Sequence, residues 1–160
     1  LSVSEAAFEG APEAAALFAE SARAAGIEIA PVAEPGEAYW SEVWRNRPFS
    51  ACAWSGRVTE DWMLSTQMRE GAPWNDTQWG MAQSPRFQSL LREARAALDS
   101  ARRRALYGEM QQILRDEGGL LVPVFANHLQ AHSDRVATPG RIGSLWAMDN
   151  ARFAERWWRA

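Results

Sequence analysis

The stretch that most constrains the fold is residues 13–25, EAAALFAESARAA, which lies between two short apolar segments. Alanine and glutamate dominate it. Leu17, Phe18, Ser21, Ala22 and Ala25 recur at three- and four-residue spacing, as on one face of a helix. Pro12 stands near its first turn and Gly26 just past its last, the asymmetry that helix ends favour. Residues 27–32 (IEIAPV) then alternate apolar and polar in the manner of a strand, and residues 1–3 read as the end of a strand entered mid-fold. Strand, helix and strand in one short run make a βαβ unit, which requires parallel pairing and a right-handed crossover. The expected class is therefore α/β.

Further elements follow along the chain. Residues 38–45 suit a short helix with Tyr39, Trp40, Val43 and Trp44 on one face, and residues 49–54 a second buried strand ended by Ser55-Gly56. Thr59 or Asp61 caps a helix carrying Trp62, Met63, Ser65, Thr66 and Met68. Residues 71–83 (GAPWNDTQWGMAQ) have no periodicity and form a long loop, of the kind that more often carries function than not. Pro85 opens a helix running to Leu98. Asp99 caps another over residues 101–116, with Ala105, Leu106, Met110, Ile113 and Leu114 turned inward. Gly118-Gly119 stops it, and residues 120–125 (LLVPVF) form a third strand, with Pro123 pushing part of it to an edge or bulge. Beyond Asn127 the pattern weakens, and residues 151–160 suit either a strand or a helix.

Composition narrows the function classes. The chain has 160 residues, 47% of them hydrophobic and 23% charged, which fits one domain with a real core and excludes wholesale disorder. All 17 basic residues are arginine, set against 20 acidic ones for a net charge of -3. No basic block marks nucleic acid as the main partner. Cys52 is the lone cysteine and makes neither an internal disulfide nor a structural zinc site. The 9 tryptophans outnumber the 6 phenylalanines and 2 tyrosines. They divide between core filling and surfaces that grip ligands by their ring faces. The first residues show neither an initiator methionine nor the pattern of a secretory signal, so the chain is expected to be a fragment or mature segment of something larger.

A search for catalytic machinery finds little. His128 and His132, four apart with Asp134 nearby, form half of a metal-ligand pattern, but no glutamate follows the first histidine. No Gly-x-Ser-x-Gly elbow occurs. Cys52 lies mid-strand, where a thiol is an inert small hydrophobe, and Gly118-Gly119 follows a helix, whereas a phosphate loop precedes one. Glu60-Asp61 and Asp116-Glu117 read as a cap and a helix end. The stretch that stands out is Trp54, Ser55, Gly56 and Arg57, at the C-terminal end of a strand. In open α/β sheets ligands bind beyond such ends. A ring, a close-approach glycine and a cation suit a polar molecule held by stacking and ion pairing; the plainer reading is a turn with Arg57 in solvent.

These motifs, taken in order, resemble the peptide-type (family 5) extracellular solute-binding proteins of ABC importers. The resemblance begins with residues 14–22 running into Ala25-Gly26-Ile27-Glu28-Ile29. It continues through Tyr39-Trp40, Pro48-Phe49, Trp54-Ser55-Gly56, Trp74-Asn75 and Phe87-Gln88-Ser89-Leu90-Leu91. It ends with residues 99–107, Met110-Gln111-Gln112-Ile113-Leu114 and Pro123-Val124-Phe125, and so covers nearly the whole chain. It implies one lobe of a type II periplasmic-binding-protein-like fold, a mixed sheet flanked by helices. Residues 1–160 would be the C-terminal lobe of a two-lobed protein, with residues 145–160 crossing toward the other lobe. It further implies a periplasmic or otherwise extracytoplasmic bacterial protein with no cofactor and no catalytic residues. Such a protein hands a small solute to a permease in the inner membrane.

On this resemblance Trp54 stacks on ligand or walls the cleft, with Tyr39, Trp40 and Asn75 as further ligand candidates. Peptide-binding members carry aspartate three residues after the motif tryptophan, to hold the peptide amine; here that residue is Arg57. A guanidinium there repels ammonium and attracts carboxylate or phosphate. The expected solute is thus an oligopeptide or an anionic or polyhydroxyl analogue, with Arg57 favouring the analogue unless Glu60 or Asp61 supplies the missing carboxylate. Trp157-Trp158 would dock the tail on the missing lobe. The rival readings are a small metal-dependent hydrolase using His128, His132 and Asp134, and an interaction-only domain with a Trp-rich surface.

Overall fold

Alanine at every fourth position lets helix α1 (Ala11–Arg23) lie close against strand β1 (Ser2–Val3). In the computed structural model, which describes residues 1–77 and 79–160, Ala11, Ala15 and Ala19 are the buried face of α1, while Leu17 points to solvent. The helix starts and ends two residues earlier than its periodicity suggests. Gly10 precedes it in the left-handed region at φ 74°, where a side chain would be strained. The crossover returns to β2 (Val32–Ala33), which pairs parallel with β1 in the register Ser2 to Val32 and Val3 to Ala33. The βαβ unit therefore forms.

Its strands are shorter than expected. Of residues 27–32 only Val32 joins the ladder, because Pro31 has no N–H to donate and pairing starts after it. Residues 49–54 make a single parallel bridge, Ser50 to Ser2, with Ser2 N–H donating to Phe49 O and Ala51 N–H to Ser2 O. Residues 38–45 form one π-helical turn (Tyr39–Val43), in which Trp44 N–H reaches back five residues to Tyr39 O. Tyr39, Val43 and Trp44 face the core and Trp40 faces out. Tyr39, Val43 and Trp44, with Val3, Ala7, Ala11 and Ala15, make the first of two cores among the described residues.

The second core is helical. Thr59 caps α2 (Glu60–Gln67) by accepting Trp62 N–H at 3.2 Å, and Asp99 caps α4 (Ser100–Glu117) by accepting Arg102 N–H at 2.7 Å. Helix α3 (Pro85–Ala96) buries Phe87, Leu90, Leu91 and Ala94, which recur at helical spacing, against Leu106, Tyr107 and Met110 of α4. Ala105 is exposed and Tyr107 takes the inward place. Gln88 ties α3 to the end of α2, donating to Met68 O at 2.9 Å and accepting Glu70 N–H at 3.1 Å.

The third expected strand does not form. Residues 120–125 carry no ladder, and Leu121, Val122, Val124 and Phe125 are 55–90% exposed. Pro123 removes one donor, and no strand among the described residues lies alongside to pair with the rest. The tail forms a short ladder with residues 136–137. Helix α6 (Phe153–Arg156) leads into β4 (Trp158–Arg159), antiparallel to β3 (Val136–Ala137). Between them, Met148, Asp149, Asn150 and Ala151 of α5 (Ala147–Ala151) form a left-handed turn, with φ between 52° and 60°. Such backbone costs roughly 1–2 kcal/mol per residue, least where Asp or Asn bonds locally. Here both do so. Asn150 Oδ1 accepts Leu145 and Trp146 N–H, and the buried Asp149 accepts Gly143 N–H, Arg156 Nη1 at 2.7 Å and Trp157 Nε1 at 3.3 Å. The chain is thus α/β in the general sense. Among the described residues the strands form two two-stranded ladders, with the Ser2–Ser50 bridge beside the first.

Candidate functional site

Between the two cores a carboxylate is held by neutral donors. Asp76 Oδ2 accepts Trp54 Nε1 at 2.8 Å, Trp44 Nε1 at 3.1 Å and the Cys52 thiol at 3.3 Å, while Oδ1 accepts Gln67 Nε2 at 3.2 Å. Cys52 and Trp54 are two apart in extended chain and so point to the same side. Gln67 ends α2, and Trp44 ends the π-helical turn, so Asp76 joins the helical core to the βαβ core. Trp44 stacks on Trp74 with ring centroids 5.8 Å apart, closing the cluster from outside. No ion pair reaches Asp76 among the described residues. Burial, and then the Asp76 charge, push the Cys52 thiol up to about 12, so it remains a neutral donor.

Trp54 carries a second feature on its ring face. The Arg57 guanidinium lies 5.6 Å from the Trp54 ring and 5.5 Å from that of Trp62, a cation between two indoles. Its Nη1 donates to Ser55 O at 2.8 Å. No carboxylate pairs with it among the described residues. Gly56 is a close approach: an added Cβ would lie 3.1 Å from Leu145 Cδ2, and Gly56 O accepts Trp146 Nε1 at 3.2 Å. Ser55 is exposed at the rim. The stretch from Trp54 to Arg57 is therefore folded back on itself as a half-open shelf, and Trp62, which the sequence placed only as a helix residue, completes it.

The other expected residues fall elsewhere. Tyr39 is fully buried, donates its hydroxyl to Ala51 O and, through burial, is pushed up to about 12. It is a core residue. Trp40 packs edge-on against Tyr39 and Trp44 with one face in solvent. Asn75 braces its own loop, accepting Thr77 N–H and Oγ1–H and donating to Arg69 O and Trp79 O. The reading of residues 71–83 as a loop includes Gln78, which lies outside the described residues. Asp61 is engaged by Tyr107 Oη at 2.9 Å and Arg95 at 3.4 Å, so it stands as a link to α3 and α4 rather than as a stand-in beside Arg57.

His128 and His132 share no helix face, because residues 118–133 run without regular structure. His132 packs edge-on against Trp157 at 5.4 Å. Among the described residues no three His, Cys, Asp or Glu side chains come together in a way that would hold a metal ion. No helix among them is long and apolar enough to cross a membrane. Compared with known proteins, the chain matches no family model, no curated protein and no solved structure.

Proposed function

We propose that the chain is a ligand-gripping lobe of an extracytoplasmic solute-binding protein that serves an ABC importer. It would capture a small solute bearing an anionic or polyhydroxyl group and pass it to a membrane permease without chemical change. The observation that carries this reading is Arg57 between Trp54 and Trp62. Two indoles fix the guanidinium while no carboxylate neutralises it, which leaves donors free for an incoming oxyanion. The surface gives independent support. The chain exposes 11107 Å², whereas a compact monomer of its mass exposes about 8,000 Å². A small part of the excess is apolar and contiguous in sequence, from Leu121 to Phe125, as expected of a lobe that packs on another.

The test is a thermal-shift panel of peptides, sugars, opine-like amino acid conjugates and nickel complexes. A bound solute at about 100 times its dissociation constant adds roughly 2.7 kcal/mol of stability. The expected result is stabilisation by anionic or sugar-like members that disappears in Arg57→Gln. Equal stabilisation by ordinary dipeptides, unchanged in Arg57→Gln, would refute the role of Arg57. Silence across the panel, with stable solute-independent oligomers, would favour a protein-interaction domain.

A further inference from the structure

A groove of about 180 Å³ opens between α1, residues 47–52 and residues 119–123, with Asp76 in its lining. Its lining is mixed: Phe8, Phe18, Phe49 and Leu121 supply apolar surface, and Arg47, Ser50, Cys52 and Asp76 supply polar surface. Trp44 and Trp54, which donate to the same carboxylate, do not line it. Arg57 does not line it either, so the groove is a place apart from the shelf. For scale, a cavity of roughly 150 Å³ with apolar walls takes up benzene.

The charge count decides what fits. Four donors hold Asp76, and all four are neutral: two indoles, one amide and one thiol. They orient the carboxylate and stabilise it without cancelling its charge. Three of them crowd Oδ2 and only one meets Oδ1, which leaves Oδ1 with a free lone pair. Arg47 also lines the groove, half-exposed, with Glu34 3.9 Å from its guanidinium. A half-buried anion with no ion pair among the described residues, lining a groove together with three phenylalanines, is complementary to an ammonium group on a small apolar body.

We propose that this groove is a binding site for small apolar amines of about the size of a single aromatic ring with a short side chain, with Asp76 Oδ1 accepting from the ammonium. The site does not depend on the solute-binding reading of Arg57. A hydrogen bond to a charged group sets the expected preference at about tenfold or more over a neutral isostere.

The experiment uses three probes of one shape on the 160-residue chain: 2-phenylethylamine, 2-phenylethanol and phenylacetate. Binding is followed through the indole N–H resonance of Trp44, which reports on Asp76 from a ring other than the one that Arg57 faces. The expected result is a saturable shift with the amine, at least about tenfold weaker binding of the alcohol and none of the carboxylate. The amine titration should weaken by at least the same factor in Asp76→Asn, while Arg57→Gln leaves it unchanged. The proposal is overturned if the alcohol binds within tenfold of the amine, if Asp76→Asn keeps the amine affinity, or if the amine gives no saturable shift up to about 10 mM. The comparison among probes needs only the unmodified chain, so it stands even if the variant fails to fold.

Discussion

Cys52 should react far more slowly in the folded chain than after unfolding, and the factor follows from its surroundings. Burial first, and then the negative charge of Asp76 at 3.3 Å, carry its thiol from 9.0 to about 12. Only the thiolate is nucleophilic. At pH 8 about one thiol in ten is ionised when its pKa is 9.0, against about one in ten thousand at 12, a difference of roughly a thousandfold. The assay is the rate of disulfide exchange with excess aromatic disulfide reagent, native and in denaturing guanidinium chloride, from pH 7 to 10. The native rate should lie about three orders of magnitude lower and keep climbing tenfold per pH unit, while the unfolded rate levels off near pH 9. Asp76→Asn should recover part of the difference and not all of it, because burial, the largest single cause, remains after the Asp76 charge is gone. The same shift has a stability counterpart. The folded value lies above the unfolded one, so the contribution of the neutral thiol is fully present below pH 9 and is lost as pH rises toward 12. A native rate within tenfold of the unfolded one, or one that levels off near pH 9, would refute this account of the Asp76 cluster.

Asp149→Ala removes a fully buried carboxylate that accepts from Gly143, Arg156 and Trp157; the Arg156 side chain is 32% exposed and rehydrates, so the loss is about 1–3 kcal/mol. Hydrogen exchange in β3 and β4 should therefore speed up by about tenfold or more while α3 and α4 keep their protection; equal exchange would sink the idea that Asp149 holds the tail. Replacing Leu121 and Phe125 together with serine should leave thermal stability within about 0.5 kcal/mol, since both side chains already face solvent. The same double variant should lower self-association in sedimentation velocity; a large loss of stability would mean that the segment packs on the chain after all.

The helices were legible because their signals are local. Asp99 and Thr59 cap where a side-chain oxygen precedes a helical pattern, and Phe87, Leu90, Leu91 and Ala94 repeat at the spacing of one helix face. The strands were less so. An apolar run such as LLVPVF specifies a strand only if something lies alongside, and a one-dimensional pattern does not reveal the neighbour. The left-handed turn at residues 148–151 was also missed. Its cause is tertiary: the side chains of Asp149 and Asn150 reach back to Gly143, Leu145 and Trp146 and forward to Arg156 and Trp157.

The site shows the same division at the scale of one residue. Asn75 was picked out in the Trp-rich loop and Asp76 passed over, yet it is Asp76 that gathers Trp44, Cys52, Trp54 and Gln67. Asn75 makes the bonds that an Asx residue makes within its own turn, and these set the direction in which Asp76 leaves it. Part of the signal was present, because Cys52 and Trp54 alternate in extended chain and must share whatever lies on their side. What that partner was depended on how a loop more than twenty residues away folds, and such separations are closed by packing rather than by any local pattern. Trp54 links the two features, with its N–H on Asp76 and its ring face on Arg57. An indole fixed at one edge by a carboxylate cannot swing away from a guanidinium stacked on its face, so the rigidity of the Arg57 shelf rests on the anion behind it. If so, Asp76→Asn should loosen the shelf as well as the groove, and Arg57→Gln should loosen only the shelf.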